Sequence, residues 1–254
     1  MKKYEDLYSI MERSPTLARI WEEAYGEDYP AEAAPYGFVT VTDLLRMVRD
    51  LHLEPGQLLI DLGCGRGGPG LWVARACGAR LIGIDNSPAG VAQAGRRARA
   101  FGLHQRAVFR VGDAAATALQ PWCADGVMSV DAFGAFGDKA AAAREIARIL
   151  RPGGRLVCTL WDSIKPRDPQ STSQPMDERF YRSILHHAGL VVDAYEETPD
   201  WKRRQLAVYS TVQREHARLR EEMGEALQHV LEEADMTGPN LALSRRVYVA
   251  AHRV

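Results

Sequence analysis

Gln57-Leu58-Leu59-Ile60-Asp61-Leu62-Gly63-Cys64-Gly65-Arg66-Gly67-Gly68 runs from an apolar, strand-type segment into a run of glycines. Leu71-Trp72-Val73-Ala74-Arg75-Ala76-Cys77 follows as a helix pattern closed by Gly78. Strand, glycine-rich turn and helix form the layout of a nucleotide-binding βαβ unit. Glycine admits positive φ and lets a ligand approach the backbone closely. The helix N-terminus behind the turn offers free N–H groups and a partial positive charge. Two patterns overlap here. Gly63, Gly65 and Gly68 fit G-x-G-x-x-G, whereas Asp61 with Gly63, Gly65 and Gly67 fits D-x-G-x-G-x-G. In the second pattern a carboxylate sits at the strand end, where it suits a cationic amino-acid ligand and repels a pyrophosphate.

Working outward, strand and helix patterns alternate. Arg80 to Asp85 reads as the second strand, and Ser87-Pro88 caps and opens a helix running to about Ala100. Ala107 to Val111 is the third strand and Asp125 to Val130 the fourth. A helix over Lys139 to Leu150 stops at Pro152-Gly153-Gly154, before a fifth strand over Arg155 to Trp161. A polar loop at Pro166 to Pro175 precedes a helix at Met176 to Ala188 and a sixth strand at Leu190 to Tyr195. Arg246 to His252 is the seventh strand. Alternation with short connections predicts a parallel sheet with helices on both faces.

Two segments lie outside that alternation. In residues 1–50, Leu7, Ile10, Met11, Leu17, Ile20 and Trp21 recur at helical spacing around a break at Pro15. A second helix there begins near Thr40 or Thr42, with Thr42 a reasonable N-cap. In the other, Tyr209, Val212, His216, Leu219, Met223, Leu227 and Val230 mark one long amphipathic helix from about Trp201 to Ala234, bent at Gly224 and ended by Thr237-Gly238-Pro239-Asn240. That stripe reads either as a cap over the sheet or as a dimer seam, so monomer and homodimer both stay open.

Formal net charge is −1, with 32 basic and 33 acidic residues, so no global field favours a polyanion and no nucleic-acid partner is expected. The run Arg96-Arg97-Ala98-Arg99 belongs to a helix C-terminus, where cations are favoured. Cys64, Cys77, Cys123 and Cys158 are not at zinc-ligand spacing, and no metal site is expected. Reduced, buried thiols fit a cytoplasmic setting. The N-terminus lacks an apolar signal core, and no apolar run is long enough to span a bilayer.

The Asp61 glycine motif, the Pro152-Gly153-Gly154 turn and the seven strand patterns resemble class I S-adenosylmethionine-dependent methyltransferases, the bacterial small-molecule type in particular. The resemblance covers residues 55 to 196 and 245 to 254. It implies an α/β Rossmann-like sheet ordered 3-2-1-4-5-7-6, with strand seven antiparallel. It divides the chain into a core at 51–198 and 243–254, an N-terminal helical lid at 1–50 and a helical cap at 199–242. S-adenosyl-L-methionine is the implied cofactor. Its implied cradle is Asp61, Gly63, Cys64 and Gly65 with Asp85, Asn86, Asp113, Ala114 and Ser129. By the resemblance, Asp85 takes the ribose hydroxyls, Asp113 takes the adenine amino group, and the Ala114 N–H meets a ring nitrogen. Asp113 also reads as the N-cap of a helix over Ala114 to Leu119. Asp131 after strand four is the catalytic candidate, as base or substrate ligand, or else it orders its loop.

Methyl transfer from a sulfonium expels a neutral leaving group, so positioning carries most of the rate and no triad is expected. Tyr25, Tyr29, Tyr36, Phe38 and Trp161 are candidates for a wall around a small, hydrophobic or flat acceptor, each with plain packing as its alternative. The expected activity is methylation of a small molecule at O, N or C, in secondary metabolism. A protein or peptide acceptor, or a protein that binds the cofactor without methylating, stays open.

Overall fold

Alternating side chains on the strands supply two separate cores. In the computed structural model, which describes residues 5, 7, 8, 10, 14–163 and 175–254, strand β5 (Leu150–Ser163) sends Leu156, Cys158 and Leu160 to one face and Val157 to the other. Strand β7 (Ser244–Arg253) does the same with Val247, Val249 and Ala251 against Tyr248 and Ala250. This is the two-residue period of a sheet covered on both sides.

The remaining strands are β1 (Leu58–Leu62), β2 (Arg80–Asp85), β3 (Ala107–Val111), β4 (Ala124–Val130) and β6 (Leu190–Glu197). They form one seven-stranded sheet ordered β3-β2-β1-β4-β5-β7-β6. β1 to β5 are parallel, and β7 is antiparallel to both β5 and β6. The order expected from the resemblance holds.

Helices α1 (Pro15–Tyr25) and α2 (Val41–Leu51) precede the sheet, and α3 (Gly68–Cys77) and α4 (Pro88–Ala100) connect its first strands. α5 (Lys139–Ile149) and α6 (Glu178–His187) follow. Leu44, Met47, Leu71, Val73 and Ala98 of α2, α3 and α4 cover one face; Ile146, Ile149, Tyr181 and Leu185 of α5 and α6 cover the other. Ser87 caps α4 by accepting the Gly90 N–H at 3.1 Å. α2 starts at the earlier of the two expected points: Thr40, not Thr42, is its N-cap, in a reciprocal capping box with Asp43.

The long helix expected over 201–234 is three helices: α7 (Trp201–Arg214), α8 (His216–Met223) and α9 (Leu227–Asn240). The breaks fall at Glu215 and at Gly224, whose φ is +57°. Thr237 does not end α9; its hydroxyl donates to the Glu233 carbonyl at 2.8 Å and the helix runs on to Asn240. The stripe Val212, Leu219, Met223, Leu227 and Val230 is buried within the chain, against Leu17, Ile20 and Trp21 of α1. Those side chains are therefore not available as a dimer seam. The helix over Ala114 to Leu119, the alternative reading of Asp113, is absent. The Thr117 N–H and hydroxyl both donate to Glu145 of α5, and Ala118 has φ +56°. The loop expected at Pro166 to Pro175, apart from Pro175, and the helical position of Met11 lie outside the described residues.

Arg246 of β7 is 1 % exposed and joins several elements at once. Its Nε donates to Asp131 Oδ1 at 2.9 Å and its Nη1 to Asp43 Oδ2 at 2.8 Å. Burial alone would lower the guanidinium pKa, but Asp131 and Asp43 hold it above its ordinary value. Removing one member of such a cluster leaves buried charge unpaired. Arg246→Ala should destabilise the protein by about 3–5 kcal/mol in urea unfolding. A loss below about 1 kcal/mol would show that water reaches and screens both carboxylates.

Candidate functional site

The glycine turn after β1 is shaped by its contacts. Gly63 (φ +74°) accepts no side chain, because a Cβ there would collide with Ala132 on the loop after β4. The Gly63 and Cys64 N–H groups both donate to the Ile84 carbonyl, at 2.8 and 3.2 Å. The turn is thereby tied to the end of β2. Asp85 completes the tie: Oδ2 accepts the Gly65 N–H and Oδ1 the Ser87 N–H, both at 2.8 Å. A carboxylate so held still has lone pairs for hydroxyl donors. Burial raises the Asp85 pKa, its backbone hydrogen bonds oppose this, and the nearby Glu5 carboxylate adds to the rise.

Asp61 ends β1 beneath this turn. It is 1 % exposed, and its Oδ1 has no hydrogen-bond partner. Burial first, and the Asp85 charge second, push its pKa up to about 8. Gly70 in the first turn of α3 leaves the space that the other carboxylate oxygen fills.

A 920 Å³ cavity begins at these groups. Asp61, Gly63, Cys64, Gly65, Asp85, Asn86, Asp113 and Ala114 all line it. Asp113 is exposed, with Oδ1 accepting the Ala115 N–H at 2.8 Å. Ser129 does not reach the wall. It is fully buried in the sheet with an unpartnered Oγ, and its neighbours Val130, Asp131 and Ala132 line the cavity instead. Asp131 has φ +52°, and both its carboxylate oxygens are engaged. Oδ1 accepts from Arg246; Oδ2 accepts the Phe38 N–H at 2.9 Å and Arg246 Nη2 at 3.3 Å.

The cavity continues under the helical segments. Tyr36, Phe38 and Trp161 are in its wall. Phe38 meets Trp161 and Tyr209 edge to face, at ring separations of 5.6 and 5.8 Å. Tyr25 and Tyr29 are not in the wall. They pack against each other behind it, and Arg204 lies over the Tyr25 ring. In their place the structure brings Trp201, Gln205, Tyr209 and Glu233 of α7 and α9. The four-residue spacing of Trp201, Gln205 and Tyr209 on α7 is visible in the sequence as one helix face.

Arg97 of the basic run points back into the protein, donating to the carbonyls of Arg66, Glu32 and Ala33. Among the described residues, no group of three acidic, histidine or cysteine side chains could hold a metal ion, and no helix is long and apolar enough to cross a membrane.

Residues 60–158 match the family pattern described as "Methyltransferase domain". The resemblance to class I S-adenosylmethionine-dependent methyltransferases thus holds over residues 60–158. The chain is 35 % identical over 107 residues to methyltransferase GfsG of Streptomyces halstedii, covering 42 % of this chain and 38 % of that one. It is 32 % identical over 142 residues to 27-O-demethylrifamycin SV methyltransferase of Amycolatopsis mediterranei, covering 56 % and 52 %. It thus spans about a third to a half of the length of such curated relatives. Its fold is similar to that of the [4+2]-cyclase SpnF, with TM-score 0.72 at 22 % identity over 83 % of this chain and 80 % of that one.

The Asp61 carboxyl titrates far above its unfolded value of about 3.9. The ligand-free folded state therefore binds more protons than the unfolded state between about pH 4 and pH 8, so stability falls as pH rises through that window. Asp61→Asn should flatten this slope in urea titrations at pH 5, 6, 7 and 8. An unchanged slope would assign the pH dependence to other groups.

Proposed function

We propose that this protein transfers the methyl group of S-adenosylmethionine to a small, largely hydrophobic molecule by in-line displacement. One observation carries the reading: a single cavity joins a cradle of acids and glycines at the strand ends to an aromatic chamber under α7 and α9. The cradle fits the cofactor. Asp61 is a buried carboxylate with an orphaned oxygen, the counterpart that an ammonium group lacks in the free chain.

In this reading Asp85 takes the ribose hydroxyls, Asp113 and the Ala114 N–H take the adenine edge, and Gly63, Cys64, Gly65 and Asn86 frame the rest. Bound there, the cofactor supplies an electrophilic methyl group on a sulfonium. The protein orients the acceptor against it and excludes water. Asp131 acts as a positioning residue, since Arg246 and Phe38 occupy its carboxylate. The described residues of the N-terminal fifty form the lid and 199–242 the cap, closing the chamber around an acceptor of small size. The rifamycin-directed relative supports a natural product as that acceptor. A cytoplasmic setting suits four unpaired cysteines.

The cyclase neighbour favours one second reading, cofactor binding without methyl transfer, since fold alone does not fix activity. Incubation with methyl-labelled cofactor and an extract of the producing cells decides. Label in the solvent-extractable small-molecule fraction supports the proposal. Label in acid-precipitable material points to a macromolecular acceptor. Binding without any transfer points to the second reading.

Asp85→Ala should weaken binding of S-adenosylhomocysteine at least tenfold by calorimetry, with a native circular dichroism spectrum. Unchanged affinity would remove Asp85 from the ribose site. Wild-type binding should also release a proton near pH 7, because an ammonium beside Asp61 lowers its raised pKa. Equal heats in buffers of different ionisation enthalpy would contradict the placement of that charge.

A further inference from the structure

The aromatic chamber contains one carboxylate contributed by the cap. Glu233 of α9 lines the cavity, and its Oε2 accepts the Tyr36 hydroxyl at 2.6 Å and the Tyr209 hydroxyl at 3.1 Å. These two tyrosines come from different elements, Tyr36 from the segment before α2 and Tyr209 from α7. Both are themselves in the chamber wall, together with Phe38, Trp161 and Trp201. The carboxylate is therefore oriented by hydroxyl donors inside a mainly aromatic enclosure. Asp131, the other acid on this side, is committed to a buried guanidinium. Asp61, Asp85 and Asp113 belong to the strand ends.

We propose that Glu233 is a catalytic residue that accepts the proton of a hydroxyl-bearing acceptor seated in this chamber. This rests on the methyltransferase reading above. The chemistry favours a hydroxyl over an amine. A carboxylate facing an ammonium stabilises the protonated form and withholds the lone pair that must attack. Facing a hydroxyl, the same carboxylate accepts a hydrogen bond in the ground state and gains strength as the oxygen becomes positive. The step balances. The acceptor oxygen forms a bond to the methyl carbon, and the carbon–sulfur bond breaks with its electron pair going to sulfur. The proton passes from the acceptor oxygen to a Glu233 carboxylate oxygen and later to water. Tyr36 and Tyr209 keep the carboxylate pointed at the chamber.

The test compares wild type, Glu233→Gln and Glu233→Asp. S-adenosylhomocysteine, titrated by calorimetry, should bind all three alike, because Glu233 bonds Tyr36 and Tyr209 of the chamber and is not among the residues assigned to the cradle. Labelled cofactor with the small-molecule extract of the producing cells should give a labelled ether with wild type. Glu233→Gln should lose about 10²-fold or more in turnover, the lower range for general-base catalysis. Glu233→Asp should retain part of it. The purified acceptor, titrated against the S-adenosylhomocysteine complex and followed by tryptophan fluorescence from Trp161 and Trp201, should bind Glu233→Gln more weakly. Wild-type activity with undiminished Glu233→Gln turnover, or a label found on nitrogen or carbon, overturns this proposal and leaves the methyltransferase reading intact. No transfer by wild type overturns both. If Glu233→Gln also loses cofactor binding, Tyr209→Phe with intact binding and a smaller loss of turnover supports the proposal, and unchanged turnover in it counts against it.

Discussion

Arg246 is the constraint on which the arrangement of this protein depends. A guanidinium at 1 % exposure survives burial only because two carboxylates meet it. Those carboxylates come from the capping box of α2 and from the loop after β4; Thr198, beyond β6, adds its hydroxyl at 3.3 Å. The antiparallel β7 thus fixes, by charge, the two segments that bracket the cavity. Asp131 passes the constraint on. Its second oxygen holds the Phe38 N–H, and Phe38 carries one wall of the aromatic chamber. The sheet therefore positions the aromatic end of the cavity as well as the strand-end cradle. The link is polar, and so directional, where hydrophobic packing alone would leave the N-terminal segment several equivalent seats.

The strand-end cradle and the chamber are built by different physics. At the strand ends, the backbone does the positioning. Gly63, Cys64 and Gly65 donate N–H groups to β2 and its terminal Asp85, and the carboxylate beneath them stays unsatisfied. In the chamber, side chains from α1, α7, α8 and α9 make their own core of Leu17, Ile20, Trp21, Val212, Leu219 and Met223. That core is separate from both faces of the sheet.

This division explains what was legible in the sequence. The cradle is local: Asp61, the glycines and Asp85 lie within one βαβ unit, and strand periodicity places them at strand ends. The sheet order followed from the same pattern together with the family resemblance. The chamber is assembled from residues nearly two hundred positions apart, such as Tyr36 and Glu233. No local pattern encodes that pairing. Tyr25 and Tyr29 share the composition of a wall but face Arg204 and each other, because Tyr25 lies on the inner face of α1. Ser129 shows the strand version of the same limit. Its position beside Asp131 was readable, but its side chain lies inside the sheet layer. The Ala114 to Leu119 stretch has helical composition, yet Glu145 captures Thr117 and draws the chain into an irregular path.

Asp61 and Arg246 solve the problem of buried charge in opposite ways. Arg246 is compensated within the chain, by groups that are present whether or not a ligand is bound. Asp61 is left uncompensated on one oxygen, and its raised pKa records the cost. A protein selected only for stability would replace such an acid with an amide or an apolar residue. An incoming cation lowers that cost by neutralising the carboxylate, so part of its affinity derives from strain already stored in the free protein. The same reasoning separates Asp61 from Asp131. Both are acids at ends of neighbouring strands, but only Asp131 has a resident charged partner.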